Sequence, residues 1–271
     1  MKFSITIISL VKNDYQSLKK TGLSIFNQDL NFPVEWLVID GSNKLFFKKN
    51  STNIKFLEKN NKFIKSRHKN LDTLNIKGIY PSMNYGLKNA NGASIIFLNS
   101  GDVFFNKKSL RTLYEKLVNL NNKKSFVFGQ ANIFYNKKLF WFFPGERVKN
   151  INYWLTYFDP NHQSMLVSRK LALEFLFEEN CKVIADGIWK RKVINNAETY
   201  FYINKPVVTF FLDGVSNMRP KFVTMMNQVT NKNTSIIRKL IVLIKFIIPP
   251  NFYIFYPYFQ KYKSLLIDII F

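Results

Sequence analysis

Three aspartates stand at the edges of regular-looking runs in this chain. Asp40 follows the apolar run 34–39, Asp102 follows the run 94–98 and a short Asn-Ser-Gly, and Asp186 opens a stretch with helical spacing. A carboxylate at a strand's carboxyl end, beside small residues, can hold a hard divalent cation whose retained waters and phosphate ligands complete the shell. The same residue in the same place also caps a helix or closes a turn, and spacing alone leaves both readings open. With 17 acids against 40 Lys and Arg, acids so placed are worth weighing. His162, in Asn161-His-Gln163, is one of two histidines and sits in a polar loop, where its partner is either a phosphate or hydroxyl of a ligand or the local backbone. His68 lies among lysines and reads as surface. Cys181 reads as a small packed residue, since nothing resembles a Cys/His pair.

The elements that must position these residues alternate. Residues 3–11 read as a strand, 15–28 as a helix with an apolar stripe and Asp14 as its cap, and 34–39 as a second strand ended by Asp40-Gly41-Ser42. Strand, helix, strand at this spacing implies a right-handed βαβ unit and a parallel sheet. Residues 43–77, rich in Lys and Asn, offer one strand at 54–57. A helix follows, opened by Pro81 and running to about Ala90, and then the stretch GASIIFLNSGD at 92–102, whose apolar run has the composition of a strand buried on both faces. Ligands of open α/β sheets bind at the carboxyl ends of such strands. Further on, 107–120 reads as a helix, 126–134 as a strand, 140–143 and 154–158 as an aromatic-rich region, 165–167 as a strand, 169–175 and 186–195 as helices, and 200–203 with 207–212 as a last pair of strands.

Composition narrows the classes. At 271 residues and 47% hydrophobic the chain has the make-up of one sizeable α/β domain with an appendage. Its net charge of +23 favours polyanionic partners: nucleic acid, an anionic membrane surface or a phosphate-bearing substrate. A single cysteine excludes an internal disulfide and a Cys-based zinc site and permits a reducing cytoplasm. The first residues mimic a signal peptide, but Lys12, Asn13 and Asp14 follow without a small-residue cleavage site, so they read as a strand. No Gly-x-Gly-x-x-Gly follows that strand, which disfavours NAD, and no recognised nucleic-acid module appears.

Five stretches taken in order carry a resemblance: Ser4-Ile-Thr-Ile-Ile-Ser-Leu-Val-Lys-Asn-Asp14, Trp36-Leu-Val-Ile-Asp-Gly-Ser42, Gly78-Ile-Tyr-Pro-Ser-Met-Asn-Tyr-Gly86, Phe97-Leu-Asn-Ser-Gly-Asp102 and Ala185-Asp186. Together they resemble the successive motifs of family 2 glycosyltransferases, and most nearly the bacterial members that build capsule, lipopolysaccharide or exopolysaccharide units. The resemblance covers about residues 1–216. It implies a GT-A fold, a Rossmann-like, mostly parallel central sheet flanked by helices, with a nucleotide-sugar half at about 1–105 and an acceptor half at about 106–216. It further implies inverting transfer of a sugar from a nucleoside diphosphate donor to a saccharide or polyprenyl-linked acceptor. Carried over by position, Ser9, Val11 and Asp14 border the nucleotide, Asp40 contacts base or ribose, and Asn84, Asn99 and His162 face the donor. Asp102 sits at the diphosphate and at a magnesium or manganese ion. Asp186 is the general base that deprotonates the acceptor hydroxyl. Asn99-Ser100-Gly101 stands where the family commonly has Asp-x-Asp, Ile188 where a second acid often follows the base, and Pro81 where an Asp often follows Gly-Ile-Tyr. That thinning keeps open a nucleotide-sugar-binding paralogue with weak turnover, and the charge keeps open a basic nucleic-acid-binding protein, although no nucleic acid is expected.

Past the catalytic-sized unit, 217–234 reads as a linker and 235–271 as an amphipathic, basic and aromatic tail. Its apolar part, 236–248, is too short and too charged to span a bilayer, but it suits an anionic membrane surface. The expected location is the cytoplasm, on the inner face of the bacterial membrane. Trp141, Trp154 and the phenylalanines near them either stack on an acceptor or fill the core.

Overall fold

The computed structural model describes residues 3–58, 61–135, 139–181 and 184–212, with isolated positions beyond 225. The linker at 217–234 and the tail at 235–271 therefore lie almost wholly outside the described residues.

The first hundred residues alternate strand and helix. In order they form β1 (Ile5–Val11), α1 (Tyr15–Phe26), β2 (Val34–Asp40), α2 (Lys44–Asn50), a 3-10 helix (Ser51–Glu58), β3 (Ile64–Asn70), a 3-10 turn (Asp72–Leu74), α3 (Ile79–Asn89), β4 (Ser94–Phe97) and β5 (Val103–Phe104). Asp14 caps α1, its carboxylate accepting from the Ser17 amide at 3.0 Å. β1 pairs in parallel with β2 on one side and β4 on the other, and β2 pairs in parallel with β3. The second half adds α4 (Ser109–Asn119), β6 (Ser125–Tyr135), β7 (Leu139–Phe143), α5 (Ile151–Tyr157), a 3-10 turn (His162–Ser164), β8 (Met165–Ser168), α6 (Arg169–Glu174), α7 (Ala185–Asn196) and β9 (Thr199–Phe211). The strands join one mixed sheet in the order β3-β2-β1-β4-β8-β6-β9-β5, with β7 on β6.

Alternate residues of the central strands pack on opposite faces, so both faces are covered. Ile7, Trp36 and Ile96 share a core with α1 and α4, whereas Ile8, Leu37 and Phe97 share one with α3, α6 and α7. Gly92, where α3 turns into β4, is pressed against β1: a Cβ there would lie 2.3 Å from the Thr6 nitrogen. Trp141 and Trp154 are buried, 6% and 0% exposed, so the core reading of those two holds.

Three expectations change. Residues 54–57 belong to a 3-10 helix that tucks Leu57 into the core. The missing strand is β3, IKSRHKN, whose polar composition is tolerated because it is an edge strand with one neighbour. The expected last pair of strands is a single strand, β9, which runs through Asn204-Lys205-Pro206 and absorbs the irregularity as a register shift opposite Gly129 and Gln130.

Candidate functional site

A cavity of about 580 Å³ opens at the carboxyl ends of β1, β2 and β4. Leu10, Val11, Lys12 and Asp14 form one wall, Ile39, Gly41 and Asn43 the next, and Asn99 and Ser100 the third. The rim is the turn between β3 and α3, from Asp72 to Gly78, together with Ile79 and Ser82 of the first turn of α3. Gly78 holds that rim with φ of +112°, a conformation that side chains rarely adopt. Lys12 and Lys77 bring two positive charges to the opening, and the volume suits a nucleotide-sized ligand.

Behind this wall lie two of the residues expected to touch a donor. Ser9 is fully buried; its hydroxyl donates to the Leu98 carbonyl and accepts from the Trp36 indole, so its side chain stitches β1 to β4 and β2. Asp40 is also fully buried. One oxygen accepts from the Ser42 amide at 2.8 Å, and the other is 2.6 Å from the Tyr15 hydroxyl and 3.0 Å from His68 Nε2. Burial pushes its pKa up, but the hydrogen bonds from His68, Ser42 and Tyr15 outweigh that and hold it below the usual carboxylate range. Burial, with the Asp40 charge beside it, drives the Tyr15 phenol far above its ordinary value. His68, expected at the surface, is thus the partner of Asp40 and stacks on Phe47 with ring centroids 5.5 Å apart. The placement follows from register, since His68 pairs with Val38, two residues before Asp40. These contacts make Asp40 a brace for the Gly41–Asn43 wall.

Asn84 faces away from the cavity as well. Its amide donates to the Phe177 carbonyl and to Glu179, both at 2.9 Å, and accepts from the Phe177 amide, clasping α3 to the loop before α7.

Two further acids lie on either side of one dipeptide. Asp102, 5% exposed, accepts from the Gln163 side chain at 3.1 Å and from the Phe211 amide at 3.2 Å. Desolvation raises its pKa to about 7, against the opposing pull of those two hydrogen bonds and of Lys20. The residue before Gln163, His162, places Nδ1 3.9 Å from Asp186 Oδ2. Burial lowers the His162 pKa to about 4, the nearby Asp186 charge only partly opposing it, so the ring is neutral at pH 7. Asp186 lies in the first turn of α7, where a helix favours negative charge, and Tyr80 of α3 donates to its Oδ1 at 3.4 Å. Its side chain is 27% exposed, open enough to meet a ligand. Val11, Asp14 and Asn99 thus line the cavity, Asp102 sits just behind Asn99, and α3 spans from the rim at Ser82 to Asp186 through Tyr80.

The residues fit a divalent cation as part of a shared shell. Asn99 lines the cavity, and its Oδ1 is a buried acceptor with no hydrogen-bond partner among the described residues. Amide and carboxylate oxygens are what hard cations take. Among the described residues no group of three His, Cys, Asp or Glu could hold a metal, so phosphates or water would complete the coordination.

No family model matches the sequence, and no curated protein matches it. Solved structures do. Residues 1–349 of TarS from S. aureus, in complex with UDP-GlcNAc, superpose with a TM-score of 0.64 at 16% identity, over 90% of this chain and 72% of that one. The same TarS segment in complex with UDP gives 0.55 at 16% identity, with 90% and 71% covered. This chain has a GT-A fold. A longer TarS chain is matched with a TM-score of 0.56 at 17% identity over 90% of this chain and 43% of its own length.

Sequence reasoning located the acids but not the groups around them. Tyr15, Tyr80 and His68 carry the hydrogen bonds to Asp40 and Asp186, and Gln163 carries one to Asp102. The pairing of His162 with Gln163 was the available signal, because neighbouring residues at a bend point apart and can serve two acids.

Proposed function

We propose that this protein is an inverting glycosyltransferase that moves a sugar from a nucleoside diphosphate to a saccharide or lipid-linked acceptor in surface polysaccharide synthesis. What carries the reading is the His162-Gln163 dipeptide, which hydrogen-bonds Asp102 through Gln163 and sets His162 3.9 Å from Asp186, beside a cavity at the carboxyl ends of three parallel strands. The likeness to TarS, crystallised with UDP-GlcNAc and with UDP, supports a nucleotide-sugar donor.

The nucleoside lies in the cavity between Val11, Asp14 and the 72–78 rim, and its diphosphate reaches Asn99 beside Lys12 and Lys77. A divalent cation held by Asp102 and Asn99 would draw negative charge from the departing diphosphate. The acceptor hydroxyl attacks the anomeric carbon from the face opposite the diphosphate, Asp186 takes its proton, and the bond from that carbon to the diphosphate oxygen breaks. His162, neutral beside Asp186, adds no positive charge of its own that would weaken the carboxylate as a base. Tyr80 fixes one of its oxygens and so aims the other.

The reaction belongs in the cytoplasm at the inner face of the membrane, where a charge of +23 suits anionic lipid. Among the described residues no helix is long and apolar enough to cross a membrane.

A panel of UDP, GDP and dTDP sugars, offered with magnesium or manganese while thermal stability is followed, tests the proposal. One nucleotide should raise the melting temperature and a matched donor should then be consumed; no shift with any of them refutes it.

A further inference from the structure

Away from the cavity, a row of phenyl rings crosses three neighbouring strands. Phe134 of β6 pairs with Phe211 of β9 on one side and with Phe140 of β7 on the other. Ring centroids are 5.8 Å apart for Phe134 and Phe211, 6.3 Å for Phe134 and Phe140, and 6.3 Å for Phe140 and Phe142. The opposite face of these strands is the packed one: Trp141 is buried there and Ile133 joins the core. The phenyl face is not, for Phe140 is 50% exposed and Phe134, Phe142 and Phe211 are each partly exposed.

The two ends of the row differ chemically. At the inner end the Phe211 amide donates to Asp102, and Lys20 Nζ stands 3.2 Å from the centre of the Phe211 ring. At the outer end, Phe140 faces solvent. The next positions inward along the same face of β9 and β6 are Thr209 and Asn132, so the apolar strip is about one ring wide there. A bilayer would call for a broad apolar surface, and a sugar platform for exposed hydrogen-bonding groups beside the rings, whereas the Asn132 amide donates to the Thr209 hydroxyl at 3.4 Å and its oxygen is buried. A narrow strip with a cation at its inner end matches a single hydrocarbon chain joined to an anionic head.

We propose that this row binds the hydrocarbon chain of a lipid phosphate acceptor, with the chain lying over Phe140, Phe134 and Phe211 and the phosphate directed toward Lys20. This deepens the transferase reading and rests on it for the word acceptor. It puts the lipid phosphate beside the strand end that hydrogen-bonds Asp102 and leaves the attached saccharide to reach Asp186.

Farnesyl phosphate, kept below the concentration at which it aggregates, is the probe, titrated calorimetrically into the full chain with UDP titrated in parallel. The intact protein should bind it. Phe140→Ser should weaken that binding about tenfold, since a half-exposed ring is lost without disturbing the core, and Phe140→Leu should stay within about threefold. Lys20→Gln should weaken farnesyl phosphate and leave farnesol unchanged. UDP binding should be the same in the two Phe140 variants as in the intact protein. No binding by the intact protein, equal binding by Phe140→Ser, or Phe140-dependent attachment to anionic vesicles without binding of the monomeric probe would overturn the proposal. Farnesyl phosphate bound in the expected pattern without any UDP binding would uphold the lipid site and remove the donor reading. The reverse would remove the lipid site alone.

Discussion

Asp186→Asn keeps the shape of the side chain, and so the Tyr80 contact, while removing the carboxylate that we propose takes the acceptor's proton. Transfer should fall about a hundredfold to ten-thousandfold, and the Kd for UDP, measured by titration, should stay within about twofold. Turnover that survives would send the search for a base elsewhere. The two shifted groups nearby act in opposite directions on stability. Asp102 titrates at about 7 in the fold, above its ordinary value, so the folded chain keeps a proton that the unfolded one has lost, and stability declines as pH rises from about 4 through 7. His162 titrates at about 4 against an ordinary 6.5, so the unfolded chain binds the extra proton, and stability is lost as pH falls from about 6.5 through 4. The full effects are on the order of 4 kcal/mol for Asp102 and 3 kcal/mol for His162, and in the intact protein the two oppose each other. Urea unfolding between pH 4.5 and 7.5 separates them. Asp102→Asn should make stability rise with pH more steeply than in the parent, and His162→Gln should make it fall. Parallel profiles for all three proteins would mean that neither group is shifted in this way.

Secondary-structure elements show why some of this was legible in the sequence. Residues 34–39 and 94–97 announce themselves because strands covered on both faces must be apolar throughout. β3 does not, since of its seven residues only Ile64 is fully buried and the others follow no clean alternation. The acids were visible as breaks in apolar runs, whereas their partners arrive by register and packing from far along the chain: His68 reaches Asp40 across the β2–β3 pairing, and Tyr80 reaches Asp186 from another helix. Gly92 is an element-scale requirement that the sequence hid as an ordinary turn residue. A Cβ there meets backbone atoms of β1 at 2.3 and 2.5 Å, which cannot swing aside as a side chain would. Gly92→Ala should therefore cost about 2–4 kcal/mol, read as a lower urea midpoint at unchanged slope. Gly86→Ala meets a side-chain methyl of Ile8 at 2.8 Å and should cost less. Equal losses at the two positions would contradict a backbone origin for the Gly92 requirement.

The whole molecule carries +23, and that charge bears on the proposed donor binding in two separable ways. A general positive potential draws any anion toward the surface and is screened within about 8 Å at physiological salt. Lys12 and Lys77 instead act at short range, at the cavity that we assign to the nucleotide. A nucleotide present at a hundred times its Kd should stabilise the fold by about 2.7 kcal/mol, which for a chain of this size raises the melting temperature by roughly 5–10 °C. Raising salt from 50 to 500 mM should weaken UDP several-fold and leave uridine, which lacks the phosphates, unchanged. Lys77→Ala should weaken UDP at low salt and flatten its salt dependence, whereas removing a lysine remote from the cavity, such as Lys55→Ala on the 3-10 helix after α2, should change neither. If the two lysine variants behaved alike, the attraction would belong to the overall charge and the cavity lysines would lose their assigned role. If only Lys77 mattered, the diphosphate would be fixed to the rim between β3 and α3, and the orientation of the donor across the parallel strands would follow.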